Sequence, residues 1–148
     1  EVLGPRGLRA HLIEQTLLML QHGINHHLSC LWPGAVVVLP PPCEGKDTIE
    51  MTLSGFGSAI DPIELSNGQR RILDLAVFWA RGDLLRSAWG QPPGYEVYDE
   101  IFDGIHPDVI PPLLVAMQRR AQTRPVFVIT QREQEISGLP WDEHRRMT

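Results

Sequence analysis

Two neighbouring carboxylates, Asp99 and Glu100, close the short stretch Tyr95-Glu96-Val97-Tyr98. An acidic pair at a strand end suits phosphoryl chemistry. One carboxylate can hold Mg²⁺ through its water shell, because Mg²⁺ keeps most of that shell and takes one or two carboxylates. The other can orient or deprotonate an attacking water. The plainer account is a solvated turn after an edge strand, and Glu96 inside the strand argues against a buried, central position. A second group is Glu64-Leu65-Ser66-Asn67-Gly68-Gln69-Arg70-Arg71. Ser66 and Gln69 stand in the S-x-x-Q relation of a capping box. Ile72, Leu75, Ala76 and Trp79 then recur at helical spacing. A Ser and a Gly at such a start also leave amide groups and the positive end of the helix dipole facing outward, which suits a phosphate. The cap and the anion site draw on the same chemistry. His22 and His26 are four residues apart and could grip a metal. No carboxylate or Cys completes the set, and histidines near a helix C-terminus also serve its dipole.

The elements that must position these groups alternate between helix and strand. Gly4-Pro5-Arg6-Gly7 reads as a turn. Leu8, Ile13 (or Leu12), Leu17, Leu20, Ile24 and Leu28 give a helix over 8–28, weakened at Gly23. Trp32-Pro33-Gly34 turns the chain into Ala35-Val36-Val37-Val38-Leu39, a buried strand. Residues 40–45, which include Cys43, form a loop. Residues 48–53 alternate, with Ile49, Met51 and Leu53 on one side, and are expected to pair antiparallel with the strand before. Residues 54–58 read as a loop feeding Pro62 and the helix from Ser66 to about Arg86, with Gly82 a weak point and 90–94 a breaker. After the strand at 95–98 and a loop over 101–106, Pro107, Pro111 and Pro112 hold the next helix to a start near Ile110 or Pro112. It ends near Gln122 with Arg119 and Arg120 at its C-terminus. Val126-Phe127-Val128-Ile129 is a continuous apolar run, the pattern of a strand covered on both faces. Thr130 and Gln131 follow it, and in the polar tail Trp141 is expected to dock back. A helix–strand alternation of this kind implies α/β organisation with a parallel sheet, whose ligands bind at the carboxyl ends of strands. Asp99 and Glu100 lie at one such end and Gln131 at another.

The chain has 148 residues, one ordinary domain, with 43% hydrophobic and 21% charged residues. A formal net charge of −5 argues against a generally basic nucleic-acid surface but not against a local one, to which Arg70, Arg71 and Arg86 could contribute. Cys30 and Cys43 form no C-x-x-C pattern, which favours a reducing compartment. No apolar run approaches the roughly 20 residues that span a bilayer. The start has no signal-peptide layout and no initiator Met, as in a processed chain or a piece of a longer one.

Taken in order, these segments resemble the C-terminal lobe of an ABC-type ATPase head. Leu65-Ser66-Asn67-Gly68-Gln69 is similar to the ABC signature. Residues 95–100 resemble the Walker B strand with its catalytic Glu, Phe102-Asp103-Gly104-Ile105-His106 the D-loop, and 126–131 the strand and switch position of the H-loop. Within that family the likeness is to the coiled-coil SMC and double-strand-break-repair branch, because residues 4–10 and the helix after them resemble the return from a coiled coil into the head. The resemblance implies a single lobe over 1–148: a helix from the coil (1–30), a strand pair (35–53), the signature helix (65–89), and the Walker B, D-loop and switch region (95–131). The fold it implies is a mainly parallel sheet flanked by helices, with an antiparallel strand pair before the signature helix.

The resemblance also implies roles. Asp99 would coordinate Mg²⁺, Glu100 would activate water, and Ser66 and Gly68, with Leu65, Asn67 and Gln69, would bind ATP held by a second head. Asp103, Gly104 and His106 would form the D-loop. The sequence departs from the family at His106, where Asp is usual, and at Gln131, where His is usual. Gln131 can hydrogen-bond a γ-phosphate but cannot carry its proton, so hydrolysis is expected to be slow or absent. Tyr98 is bulkier than the usual aliphatic residue. No Walker A loop is present in these residues, so that lobe must come from a longer version of this chain or from a separate polypeptide. The implied partners are this lobe, a second head, DNA and a nuclease subunit. The implied location is intracellular and DNA-associated, in cytoplasm, nucleoid or nucleus. A non-hydrolysing ATP-gated clamp or scaffold, a transporter ATPase subunit and an unrelated α/β domain are the alternatives.

Overall fold

A computed structural model describes residues 5–41, 49–55, 58–90 and 94–132. Cys43, Thr48 and Trp141, with the rest of the loop at 42–48 and the tail, lie outside the described residues. The first helix, α1 (Pro5–Leu31), begins at Pro5, where a turn was expected. Proline suits the first helical position, because its missing N–H has no intrahelical role there. α1 is packed from Ile13 onward: Leu17, Ile24, Leu28 and Leu31 are buried and Ile13 partly so, whereas Leu8, Leu12 and Met19 are more than half exposed. Gly23 lies in the packed part of α1 without breaking it. It lets α1 pass close to the next long helix, where an added Cβ would lie 3.1 Å from the Ala80 Cβ.

Sheet one is antiparallel, in the order β1 (Ala35–Val38), β2 (Thr52–Gly55), β3 (Ser58–Ile60). β1 and β2 pair as expected, with Val37 opposite Leu53, but β2 starts later and ends later than the alternation at 48–53 suggested. Ile49 is 60% exposed and lies before the strand. β3 comes from a stretch that reads as a loop. Leu53 faces Ile60 and Gly55 faces Ser58, so the pairing makes the strand where composition does not favour one. The free edge of β1 is covered by α1. The Asn25 side chain donates to the Val37 carbonyl and accepts from the Val37 amide, both at 2.8 Å, as a neighbouring strand would, and Gln21 Oε1 accepts from the Leu39 amide at 2.8 Å.

The second helix, α2 (Asn67–Trp89), buries Ile72, Leu73, Leu75, Ala76, Trp79 and Ala80 and packs chiefly against α1. It passes Gly82 unbroken and stops at Gly90, whose left-handed backbone (φ +68°) and amide bond to Arg86 O form the C-cap. β4 (Glu96–Asp99) follows. A short 3₁₀ turn over Pro107–Val109 leads into α3 (Ile110–Ala121), with Pro111 and Pro112 in its first turn. β5 (Val126–Ile129) pairs parallel with β4, Asp99 opposite Ile129. The fold is thus mixed α/β, with an antiparallel set of three strands before α2 and a parallel pair after it.

Two expectations about the parallel pair are corrected. β5 is not covered on both faces: Phe127 is 56% exposed and Val97 50%, because α3 and α2 pack on one face and no described helix packs on the other, where the Tyr95 ring meets Phe127 edge-on. Glu96 is buried, at 5% exposure, because it finds cationic partners far along the chain. Among the described residues no helix is long and apolar enough to cross a membrane.

Candidate functional site

Ser66 is the N-cap of α2 in an extended conformation, and both bonds of the capping box are present: Gln69 N–H to Ser66 Oγ at 3.2 Å and Ser66 N–H to Gln69 Oε1 at 3.0 Å. The hydroxyl accepts in this cap, so its own proton remains a donor. The first-turn amides of Asn67 and Gly68 have no intrahelical carbonyl partner. Cap and anion site are therefore compatible. Gly68 is required by a close approach: an added Cβ would lie 2.3 Å from the carbonyl oxygen of Gly104. The first turn of α2 thus rests directly on the 103–106 turn. Leu65 is buried beneath it, while Ser66, Asn67 and Gln69 are exposed.

The same helix face reaches the acidic pair. Asp99 is the exposed last residue of β4. Glu100 follows it with φ +47°, and it is the one non-glycine residue in the left-handed region among the described residues. That backbone costs on the order of 1–2 kcal/mol for an L residue, so it needs support from outside. Four contacts supply it. The Glu100 amide donates to Ile129 O at 2.8 Å, continuing the parallel ladder. Its carbonyl accepts from Asp103 N–H at 3.1 Å and from Arg71 Nη1 at 2.6 Å. Its carboxylate Oε2 accepts from the Gln131 amide at 3.4 Å. Gln131 therefore meets Glu100 through its backbone. Arg71 was not foreseen in this position, although its spacing of three from Gly68 puts both on one helix face.

The 103–106 turn completes the site. Gly104 is left-handed (φ +71°), and Asp103 lies 3.4 Å from Arg132 Nε. His106 Nδ1 accepts from Asp108 N–H at 3.3 Å and so caps the 3₁₀ turn, a task that an Asp side chain also performs. Beside Ser66 and His106 runs a mainly apolar groove of about 470 Å³, walled by Trp32, Ile72, Ile105 and Pro107. Leu65 to Gln69, Asp103 to His106 and the Asp99–Glu100 strand end are thus brought together, with Gln131 at the adjoining strand end. His22 and His26 are exposed on α1 and take no part, while His27 pairs with Asp83 at 3.0 Å. Among the described residues no group of three or more His, Cys, Asp or Glu side chains could hold a metal on its own. A hydrated Mg²⁺ that took one or two carboxylates would need no such cage, and Asp99 is exposed at the strand end.

Beneath the strand end lies a buried ionic network. Glu96 accepts from Arg120 Nη2 at 2.7 Å and Nε at 3.0 Å, and from Arg124 Nη1 at 2.7 Å. It also accepts from the Tyr98 hydroxyl, which in turn accepts from Trp79 Nε1 at 2.6 Å. Burial, reinforced by the Glu96 carboxylate, holds the Tyr98 phenol well above its ordinary value. Asp83 joins from α2, 3.4 Å from Arg120. Burial pushes the Asp83 carboxyl up, but the His27 hydrogen bond and the Arg120 charge outweigh this and lower it below its usual range. Burial likewise opposes the Arg120 charge, and Glu96 and Asp83 more than restore it. The Arg120 guanidinium also lies over the Trp79 ring at 5.0 Å. Tyr98 is thus accommodated because its ring and hydroxyl serve this network.

No protein-family model matches the sequence, and no curated protein matches it. Solved structures do match the fold. A chain from a study of ATP-driven dimerization and DNA-stimulated activation of SMC ATPases superposes with a TM-score of 0.72 at 14% identity, covering 88% of this chain and 78% of that one. The SMC head domain of Pyrococcus furiosus, with an extended coiled coil and bound to the C-terminal domain of ScpA, gives 0.67 at 15% identity over 86% of this chain and 32% of that one. The SMC head domain from Thermotoga maritima gives 0.57 at 16% identity over 86% and 44%. At such identities the likeness is one of fold: the chain has the fold of SMC-type ABC ATPase heads. It spans less than half the length of the last two.

Proposed function

We propose that this chain is the C-terminal lobe of an SMC- or repair-type head that binds and hydrolyses ATP, and that two such heads sandwich the nucleotide. The observation that carries the reading is the meeting of the α2 start, the 103–106 turn and the Asp99–Glu100 strand end within an SMC-head fold. In this reading the Ser66 hydroxyl, with the amides of Asn67 and Gly68, binds the γ-phosphate of nucleotide held by the opposite head. Asp99 would hold Mg²⁺, which when bound would supply charge neutralisation to the phosphates. Glu100 keeps one carboxylate oxygen against the Gln131 amide and uses the other to take the proton of the attacking water. Asp103, Gly104 and His106 line the approach of the second head.

The phosphate-cradling Walker A lobe comes from other residues, of a longer chain or of a separate polypeptide. Support lies in a sheet face on which no described helix packs: among the described residues Val97, Phe127 and Ile129 are exposed apolar side chains on a parallel pair too small to stand alone. Leu8, Leu12 and Met19, exposed at spacings of four and seven, suit a partner helix of a coiled coil. DNA is the proposed substrate surface, touched mainly by the coil and the other lobe given the net charge of −5. A nuclease subunit is a proposed partner, and the proposed location is intracellular and DNA-associated. A second reading, an ATP-gated clamp that does not hydrolyse, is favoured by Gln131, which meets Glu100 only through its backbone amide. Turnover by the chain joined to its Walker A lobe, with and without duplex DNA, separates the two. Mg²⁺-dependent hydrolysis that is lost in Glu100→Gln supports the ATPase, and nucleotide binding without turnover supports the clamp.

A further inference from the structure

We propose that Arg71 is a positioning residue that ties the geometry of Glu100 to the seat of its own head's α2 start. The inference rests on the reading of Glu100 as the group that activates water. Glu100 is held in a left-handed conformation that its side chain does not favour, and its carbonyl is gripped by Arg71 Nη1 at 2.6 Å, the shortest of its contacts. The guanidinium crosses from α2 to a residue 29 positions later, so no local turn geometry would make this bond. Arg71 is part-buried there. Being permanently charged, a guanidinium donates a stronger bond than a neutral group would.

Gly68 and Arg71 contact opposite ends of one turn. Gly68 meets the Gly104 carbonyl and Arg71 meets the Glu100 carbonyl. A shift of the α2 start therefore moves both ends of the turn that aims the Glu100 carboxylate. In the sandwiched head, the helix start that receives phosphate from the opposite nucleotide is the same rigid piece that orients the general base for its own. Arg71 touches neither nucleotide nor water in this scheme. It acts through the backbone of Glu100.

Two measurements test this independently. In the complete head, Arg71→Met is expected to lower kcat at least about tenfold, as small misplacements of a catalytic group do, while KM for ATP and ATP-dependent dimer formation stay within about twofold. Arg71→Lys, which keeps a donor, is expected to recover part of the rate. A merely structural role would instead lower dimer formation and folding stability together with kcat. A kcat within about twofold of the parent in Arg71→Met would overturn the proposal. The second measurement needs no turnover. In the present chain, amide hydrogen exchange at Asp103 and Gln131, whose N–H groups bond to Glu100, is expected to speed up in Arg71→Met while the β1–β2 amides keep their rates. Unchanged exchange at both sites would overturn the positioning role. A head that fails to hydrolyse ATP would count against the ATPase reading alone, and the exchange data would still decide the role of Arg71.

Discussion

Replacing Glu96 by Gln removes one negative charge from a site where two buried guanidinium groups converge. Glu96 is 5% exposed, and Arg120 and Arg124 are 9% and 6% exposed. The substitution conserves volume and leaves one carbonyl acceptor, but it turns an amide NH₂ toward donors that need acceptors. Asp83 remains near both arginines, at 3.4 and 3.9 Å, yet its side chain is 42% exposed and screened, so it compensates little. Removing one member of a buried ion pair costs about 3–5 kcal/mol, because the partner charge is left uncompensated. That is a large share of the roughly 5–15 kcal/mol that keeps a domain folded. For a chain of this size it corresponds to a fall in Tm of roughly 6–20 °C. Urea unfolding followed by tryptophan fluorescence is the natural assay, since Trp79 is bonded to Tyr98 and lies under Arg120. In a double-mutant cycle, Glu96→Gln combined with Arg120→Met is expected to cost less than the two single changes added together. A loss below about 1 kcal/mol for Glu96→Gln would refute the view that an ion cluster organises the floor of the site.

Two further outcomes follow from the site itself. Gly68→Ala places a methyl group 2.3 Å from the Gly104 carbonyl, so the helix start or the turn must move, at about 1–3 kcal/mol by analogy with overpacked cores; a urea midpoint equal to the parent would contradict the close contact. The Asp83 carboxyl is lowered in the folded chain from its ordinary 3.8, so its contribution to stability is present above about pH 4 and is lost as the pH falls through the lower folded value. Asp83→Asn should therefore reduce the acid-side slope of stability against pH, and identical slopes would contradict this linkage.

What was legible in the sequence is what short-range chemistry encodes. Ser66 and Gln69 announce the α2 start three residues apart and Pro111 with Pro112 the first turn of α3, and each is found in that role, while α2 runs past the expected end near Arg86 to the first residue of the 90–94 breaker. Motif order carried the family resemblance, but the contact of the α2 start with the turn after β4, Gly68 on the Gly104 carbonyl, was not foreseen. The misses are long-range. β3 exists because Leu53 and Gly55 offer it a partner edge, although residues 54–58 have loop composition. Glu96 looked too polar for a buried strand because Arg120 and Arg124, 24 and 28 residues later, were not yet beside it. The left-handed Glu100 and its Arg71 clamp leave no pattern in composition or periodicity. Phe127 belongs to an apolar run that reads as buried on both sides, and among the described residues no helix packs on one of those sides.

The most direct test of the central claim is sedimentation of the complete head carrying Glu100→Gln, with and without ATP and Mg²⁺. Binding without cleavage should trap a two-head dimer that appears only with nucleotide and disappears when Ser66→Arg is added at the α2 start. A head that binds ATP yet stays monomeric under both conditions would contradict the proposed sandwich.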